Sequence, residues 1–272
     1  MNASESREAD NSPEPSTASS PSFAALSWKI VAFTATAQFF SVGIGYYTFG
    51  VYLKPLTDAL GVNRFEVSLA ISMQMVLMAI ISPFAARLLS EYSLRVMMLI
   101  GIASISLGLV IASQATSLWH LYLGFSVAVG IGVALTSNLA CNMVLANWFV
   151  RRRGTALGIS QAGITFSGVV LVPLATYLVT MYGWHVSFLF FAVVTPVLLG
   201  PLIWRFAIRA PEDVGLNPDG GAEPLTLPAA DGDSVEWTFA RAVRNRDVWL
   251  ISLIAGPCYM AIAAIVIALP SH

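Results

Sequence analysis

From residue 96 to residue 150 the chain runs through fifty-five positions without one Asp, Glu, Lys or Arg, and the run stops at Arg151-Arg152-Arg153. One helix needs about 20 apolar residues to cross the hydrocarbon of a bilayer, so an uncharged run of this length fits two crossings and no ordinary soluble core. The pattern recurs: charge-free windows cover 30–53, 67–86, 96–119, 121–150, 154–204 and 248–270. With 57% apolar and only 11% charged residues among 272, the composition lies outside that of soluble domains.

The window 154–204, interrupted only by His185, is too long for one span and predicts two, with a turn near Tyr182-Gly183-Trp184. Seven spans are expected, near 30–53, 67–87, 96–114, 120–147, 155–180, 184–206 and 248–269. Lipid cannot satisfy an unpaired backbone amide, so the spans should be helices; the windows are too long and too apolar for barrel strands. The expected fold is therefore an all-α polytopic membrane bundle, with six helices over 28–206 and a seventh over 248–272. A polar tail, 1–27, rich in Ser, Pro, Ala and Glu, precedes the bundle and lacks a signal-peptide layout. A hydrophilic linker, 207–247, carries several Pro and Gly residues and a short segment, 237–244, with the spacing of an amphipathic surface helix.

Basic residues give the sidedness. If the N-terminus is cytoplasmic, Arg7, Lys29, Arg87, Arg95, Arg151, Arg152, Arg153, Arg205, Arg209, Arg241, Arg244 and Arg246 fall inside, and only Lys54 and Arg64 fall outside. The reading is an integral, multi-pass membrane protein with a cytoplasmic N-terminus, whose partner is the lipid bilayer rather than nucleic acid.

No Asp, Glu, Lys or Arg is placed in the middle of a span, so a charged substrate clamp or carboxylate proton relay is not expected in this stretch. The candidate substrate-path residues are uncharged: Gln38 and Tyr46 in the first span, Gln74 in the second, Asn138 and Asn142 in the fourth, and Gln161 and Thr165 in the fifth. Asn138/Asn142 and Gln161/Thr165 are each four apart and share a helix face. Amides are costly against lipid and should point inward. Two readings stand: such a face lines a substrate path, or it makes interhelical hydrogen bonds that hold the bundle together. Tyr46 should share the face of Gln38, with Tyr47 packing elsewhere. Phe49 and Tyr52 are expected to be interface anchors near the outer surface.

Other features read more plainly. Gly124, Gly132, Gly158, Gly163 and Gly168, with Gly101 and Gly108, are small residues at intervals that let helices approach closely. Cys141 and Cys258 read as buried thiols, with no metal site and no cofactor implied. His120 and His185 lie near outer span ends without a visible partner. Pro173 and Pro257 are the candidates for kinks inside spans, read as static bends before gating hinges.

Four stretches carry a resemblance to a known family: GVYLKPLTDALGVNRFEVSLAIS at 50–72, SPFAARLLSEYSLRVMMLIG at 82–101, ANWFVRRRGTALGISQAGITFSG at 146–168 and RAPEDVGLNPDG at 209–220. The sequence resembles the major facilitator superfamily, in the branch of monocarboxylate carriers and oxalate/formate antiporters. The resemblance implies a twelve-span carrier of two six-helix halves working by alternating access, of which this sequence holds the first half and one further span. It also implies a cytoplasmic gate. At the family's loop between the second and third spans, Ser82, Ser90 and Ser93 stand where glycine, aspartate and glycine are usual, while Arg87 and Arg95 persist and Glu91 is adjacent. Arg151, Arg152 and Arg153 match the basic cluster after the fourth span, and Gly158, Gly163 and Gly168 match a fifth span that packs against the opposite half.

The function implied is secondary transport of a small organic solute, a monocarboxylate, by proton symport or anion exchange. The alternative is a truncated, transport-inactive fragment or subunit, which the ending at Leu269-Pro270-Ser271-His272 suggests. An enzyme is not expected: no phosphate-binding G-x-x-x-x-G-K, H-E-x-x-H or carboxylate dyad occurs in a span.

Overall fold

The computed structural model describes residues 21–214 and the isolated positions Asn245, Arg246, Trp249, Leu250, Leu253 and Pro257. The expected surface helix over 237–244, most of the tail and nearly all of the seventh span lie outside the described residues.

Among the described residues the chain is helical throughout, without strands. The first apolar window becomes α1 (Pro21–Val42), a π-helical stretch at Gly43–Tyr47 and α2 (Phe49–Leu60). Helix α3 (Arg64–Glu91) starts at a capping box, with Asn63 as cap and Glu66 returning a bond to its backbone N–H at 2.8 Å. Helix α4 (Leu94–Ser113) follows. The fourth window is assembled from α5 (Leu118–Leu121), a second π stretch at Tyr122–Val129, α6 (Gly130–Thr136) and α7 (Asn138–Trp148). Helix α8 (Arg153–Phe206) covers 54 residues, about 80 Å at 1.5 Å per residue, more than twice the hydrocarbon thickness of about 30 Å. It is broken at Gly183 (φ 83°, ψ 164°), at the centre of the expected turn. Five helical stretches are long and apolar enough to cross a membrane, and the Gly183 break divides the fifth into two portions, 153–182 and 184–206, each of spanning length.

Two apolar clusters fill the interior. One joins Phe49, Tyr52, Leu109, Phe125, Leu171 and Phe188; the other, at the end carrying Arg95, Arg151 and Arg205, joins Phe33, Leu94, Met98, Val144, Trp148 and Ile203. Phe49 and Tyr52 are 1% and 0% exposed, which corrects their reading as interface anchors. The Tyr52 ring stacks on Phe188 at 4.0 Å, and its hydroxyl shares a 2.7 Å hydrogen bond with Ser187, so both tether α2 to the last part of α8. Helix α3 is instead the least enclosed: Phe65, Leu69, Met73, Val76, Ile80, Phe84 and Leu88, at spacings of three or four, are all exposed along one stripe. Such a face suits hydrocarbon rather than water.

Close approach is built on glycine. A Cβ at Gly108 would stand 2.5 Å from the Gly124 carbonyl oxygen, and one at Gly124 2.6 Å from the Gly108 oxygen; Gly101 and Gly132 form a second such pair about two helical turns away, a Cβ on Gly132 standing 2.5 Å from the Gly101 oxygen. Helix α4 and the fourth span therefore touch backbone to backbone, as small residues permit in membranes.

Candidate functional site

In an α-helix the Ile44 carbonyl would accept from the Thr48 N–H, but in the π stretch that N–H bonds the Gly43 oxygen at 3.1 Å. The Thr48 hydroxyl takes over at Ile44, at 2.9 Å. In the second π region the Ala128 oxygen accepts from Ser104 of α4 at 2.7 Å, and Ser126 donates to the Ala70 oxygen of α3 at 2.6 Å. Hydroxyls thus reach a carbonyl in each π stretch, and a hydroxyl of the second stretch reaches across to α3. The two π stretches meet: Phe49 packs on Phe125 at 4.7 Å, and a Cβ on Gly45 would stand 3.5 Å from Val129 Cγ1.

The uncharged polar residues lie on this irregular framework. Gln38, 0% exposed, donates from Nε2 to Ser160 Oγ at 2.6 Å. The next residue of α8, Gln161, donates to Asn138 Oδ1 at 3.1 Å, so consecutive residues of one helix reach α1 and α7. Asn138 follows the break at Ser137 (φ −94°, ψ −135°) that divides the fourth span. About one turn further along α1, the hydroxyls of Ser41 and Thr136 share a 2.9 Å bond. Thr165 is exposed and lines an open, mostly apolar cleft of about 640 Å³ with Ala162, Gly163, Phe166 and Val169. Asn142 is half-buried with its Oδ1 enclosed and unpaired. Gln74, 1% exposed, keeps Oε1 unpaired.

Tyr46 does not line up with Gln38 in a simple column. Tyr46 lies within the first π stretch and its hydroxyl contacts Met75 Sδ of α3 at 3.9 Å, whereas Gln38 turns to α8. Tyr47 lies against Gly168, whose Cβ would stand 3.6 Å from the ring. A Cβ on Gly163 would collide with the backbone of Ala35 in α1, whereas Gly158 has nothing within 4 Å. His120 has a partner that sequence reading missed, Ser117 Oγ at 2.9 Å from Nδ1, and His185 stacks on Trp184 at 3.5 Å.

At the arginine-rich end, Arg87 and Glu91 pair with each other at 2.7 Å on the exposed face of α3. Arg95, Arg152 and Arg153 are exposed, as is Arg151. The crossing contact comes from a residue that was not among the gate candidates: Arg209 Nη1 donates to the Ser90 carbonyl at 2.7 Å. Asn147 Nδ2 donates to the Arg209 carbonyl at 3.1 Å and Trp148 Nε1 to the Ile208 carbonyl at 3.2 Å. The segment after α8 is thereby fastened to the ends of α3 and α7. Among the described residues, no group of three or more His, Cys, Asp or Glu could hold a metal ion.

Comparison with known proteins gives the following. Residues 35–272 match the family described as Major Facilitator Superfamily. Monocarboxylate transporter 13 of Bos taurus is 30% identical over 224 residues, covering 80% of this chain and 50% of that protein. Monocarboxylate transporter 7 of Homo sapiens is 26% identical over 186 residues, 68% of this chain and 35% of that protein. Monocarboxylate transporter 1 of Homo sapiens is 28% identical over 165 residues, 60% of this chain and 32% of that protein. The chain spans half or less of the length of these curated relatives.

Proposed function

Because the chain belongs to the major facilitator superfamily and is a multi-pass membrane protein of the transporter class, we propose that it takes part in secondary transport of a small organic solute, a monocarboxylate, by proton symport or exchange with alternating access. The observation that carries this reading is the Gln161 to Asn138 hydrogen bond beside the open cleft at 162–169. It gathers amides from two spans at a depth where a polar group is expensive unless used. The relatives' names add the solute class.

In this proposal Gln38, Tyr46, Gln74, Asn138, Asn142, Gln161 and Thr165 line or adjoin the solute path. Arg87, Glu91, Arg95, Arg151, Arg152 and Arg153 belong to a cytoplasmic gate, with the N-terminus on the cytoplasmic side of a bacterial inner membrane. The Gly183 break serves as the turn between fifth and sixth spans of a six-helix half over 28–206. The test is uptake of labelled small monocarboxylates into proteoliposomes, with an imposed pH gradient for symport and a loaded counter-substrate for exchange. Flux above empty vesicles, lowered in N138L and Q161L, is expected; a wild-type chain with no flux across a broad panel rejects autonomous carriage.

A further inference from the structure

A cleft of about 420 Å³ opens at the arginine-rich end, lined by residues 91–95, where α3 gives way to α4, and by the segment after α8. Arg95 reaches it from α4 and Arg209 from the segment after α8, while Leu94, Ala207 and Ile208 give it a buried apolar lining. Arg209 spends one N–H on the Ser90 carbonyl and keeps the rest of its fork; among the described residues neither arginine has a carboxylate partner. The two carboxylates of the lining are engaged otherwise. Glu91 is held by Arg87 at 2.7 Å, and Asp213 Oδ2 accepts from the Ala210 N–H at 3.3 Å. Ser93 makes no side-chain cap bond to α4, so its hydroxyl is available to the same occupant. Two guanidinium forks from separate elements are suited to the oxygens of a phosphate group.

What lies beside the cleft tells which phosphate. Val96 follows Arg95 directly and opens a stripe along α4: Val96, Ile100, Ala103 and Leu107 recur at helical spacing and are all exposed. From Val96 to Leu107 the helix rises about 16 Å, about half of a hydrocarbon core of about 30 Å, which is the depth of one leaflet. Tyr92, exposed at the mouth of the cleft, is the kind of aromatic side chain that sits at headgroup level. A soluble phosphate has no use for the apolar track. A phospholipid uses both parts, its headgroup in the cleft and its chain on the stripe.

We propose that this cleft binds the phosphodiester of an anionic membrane phospholipid between Arg95 and Arg209, with an acyl chain lying along Val96 to Leu107. The bound lipid joins the start of α4 to the segment after α8, which Arg209 already fastens to the end of α3. The site serves the attachment of the protein to its bilayer, and it stands whether or not the chain carries a solute.

The test is thermal unfolding of the purified full chain in a neutral detergent, titrated with dioctanoylphosphatidylglycerol, dioctanoylphosphatidylcholine or glycerol 3-phosphate. Phosphatidylglycerol is expected to raise the wild-type Tm by a few degrees and to saturate, with much smaller responses to the other two. Arg95→Gln removes one fork from an exposed position and should weaken the apparent affinity about tenfold or more. Ser93→Asp is the second variant: aspartate caps a helix as well as serine does, so α4 is kept while a like charge enters the cleft, and the response should be lost. Arg152→Gln, an exposed arginine outside the cleft lining, should respond as wild type does. An equal response to phosphatidylcholine would mean general solvation by lipid, and an equal response to glycerol 3-phosphate a site for soluble anions. Equal weakening in Arg152→Gln would mean a diffuse basic surface. Each of these results overturns the proposal, as does a wild-type chain that phosphatidylglycerol fails to stabilise or folded cleft variants that keep the full response. None of them bears on the carrier reading, which stands or falls on vesicle flux.

Discussion

Alanine at Gly124 places a methyl group 2.6 Å from the Gly108 carbonyl oxygen and 2.8 Å from the Ala112 nitrogen. Both obstacles are backbone, so no side chain can swing aside. Ordinary contact begins at 3.4 Å, and 3.4 − 2.6 leaves about 0.8 Å by which α4 and the fourth span must separate. A radial gap of that size forfeits a quarter to a half of the dispersion attraction along the seam, and overpacking in a close-packed interior costs about 1–3 kcal/mol. The expected loss for Gly124→Ala is about 2–3 kcal/mol. Gly158→Ala is the matched control: the same methyl group enters open space on a helix, where alanine gains about 0.5–1 kcal/mol over glycine. The assay is denaturant unfolding of both variants in one detergent, followed by tryptophan fluorescence. Opposite signs are expected. If Gly124→Ala unfolds within error of wild type, the backbone-to-backbone seam is not where these spans make contact.

Three further outcomes follow from single contacts. Tyr52→Phe deletes the hydroxyl shared with Ser187 and leaves a buried partner unpaired, a loss of about 1–2 kcal/mol; combined with Ser187→Ala in a double-mutant cycle, the two losses should be strongly non-additive. Gly183→Ala forces a side chain into φ 83°, ψ 164°, a region open essentially to glycine, and should cost about 1–3 kcal/mol by thermal unfolding. Arg87→Gln removes an exposed intrahelical ion pair and should leave Tm unchanged, as such pairs contribute little.

The long apolar helices of the described residues were legible because charge is excluded from lipid over long distances, a signal that needs no knowledge of packing. The break at Gly183 was legible too, since fifty-one uncharged residues exceed one crossing and glycine is the residue that tolerates φ 83°. The two π stretches were not. They alter the ladder by one residue within runs that are apolar on every side, so no periodicity reports them. Gln38 meets Ser160 of α8 while Tyr46, inside the first π stretch, meets Met75 of α3, so counting at 3.6 residues per turn did not give the two their partners. Amide depth could be read from position along a window, but which amide meets which could not. The Gln161 to Asn138 contact depends on the break at Ser137, a residue with nothing in its neighbourhood to mark it. Tyr52 was misplaced for a related reason. Its position near a window's end suggested the headgroups, while α2 continues helical to Leu60 and buries it.

Arg209, Asn147 and Trp148 have a mechanical consequence. The first turn of chain beyond α8 is stitched by main-chain carbonyls to the ends of two other helices, so tension applied downstream of residue 210 is shared by three spans rather than peeling one away. The connecting segment thus begins as a strap across that end of the bundle rather than as a free tail.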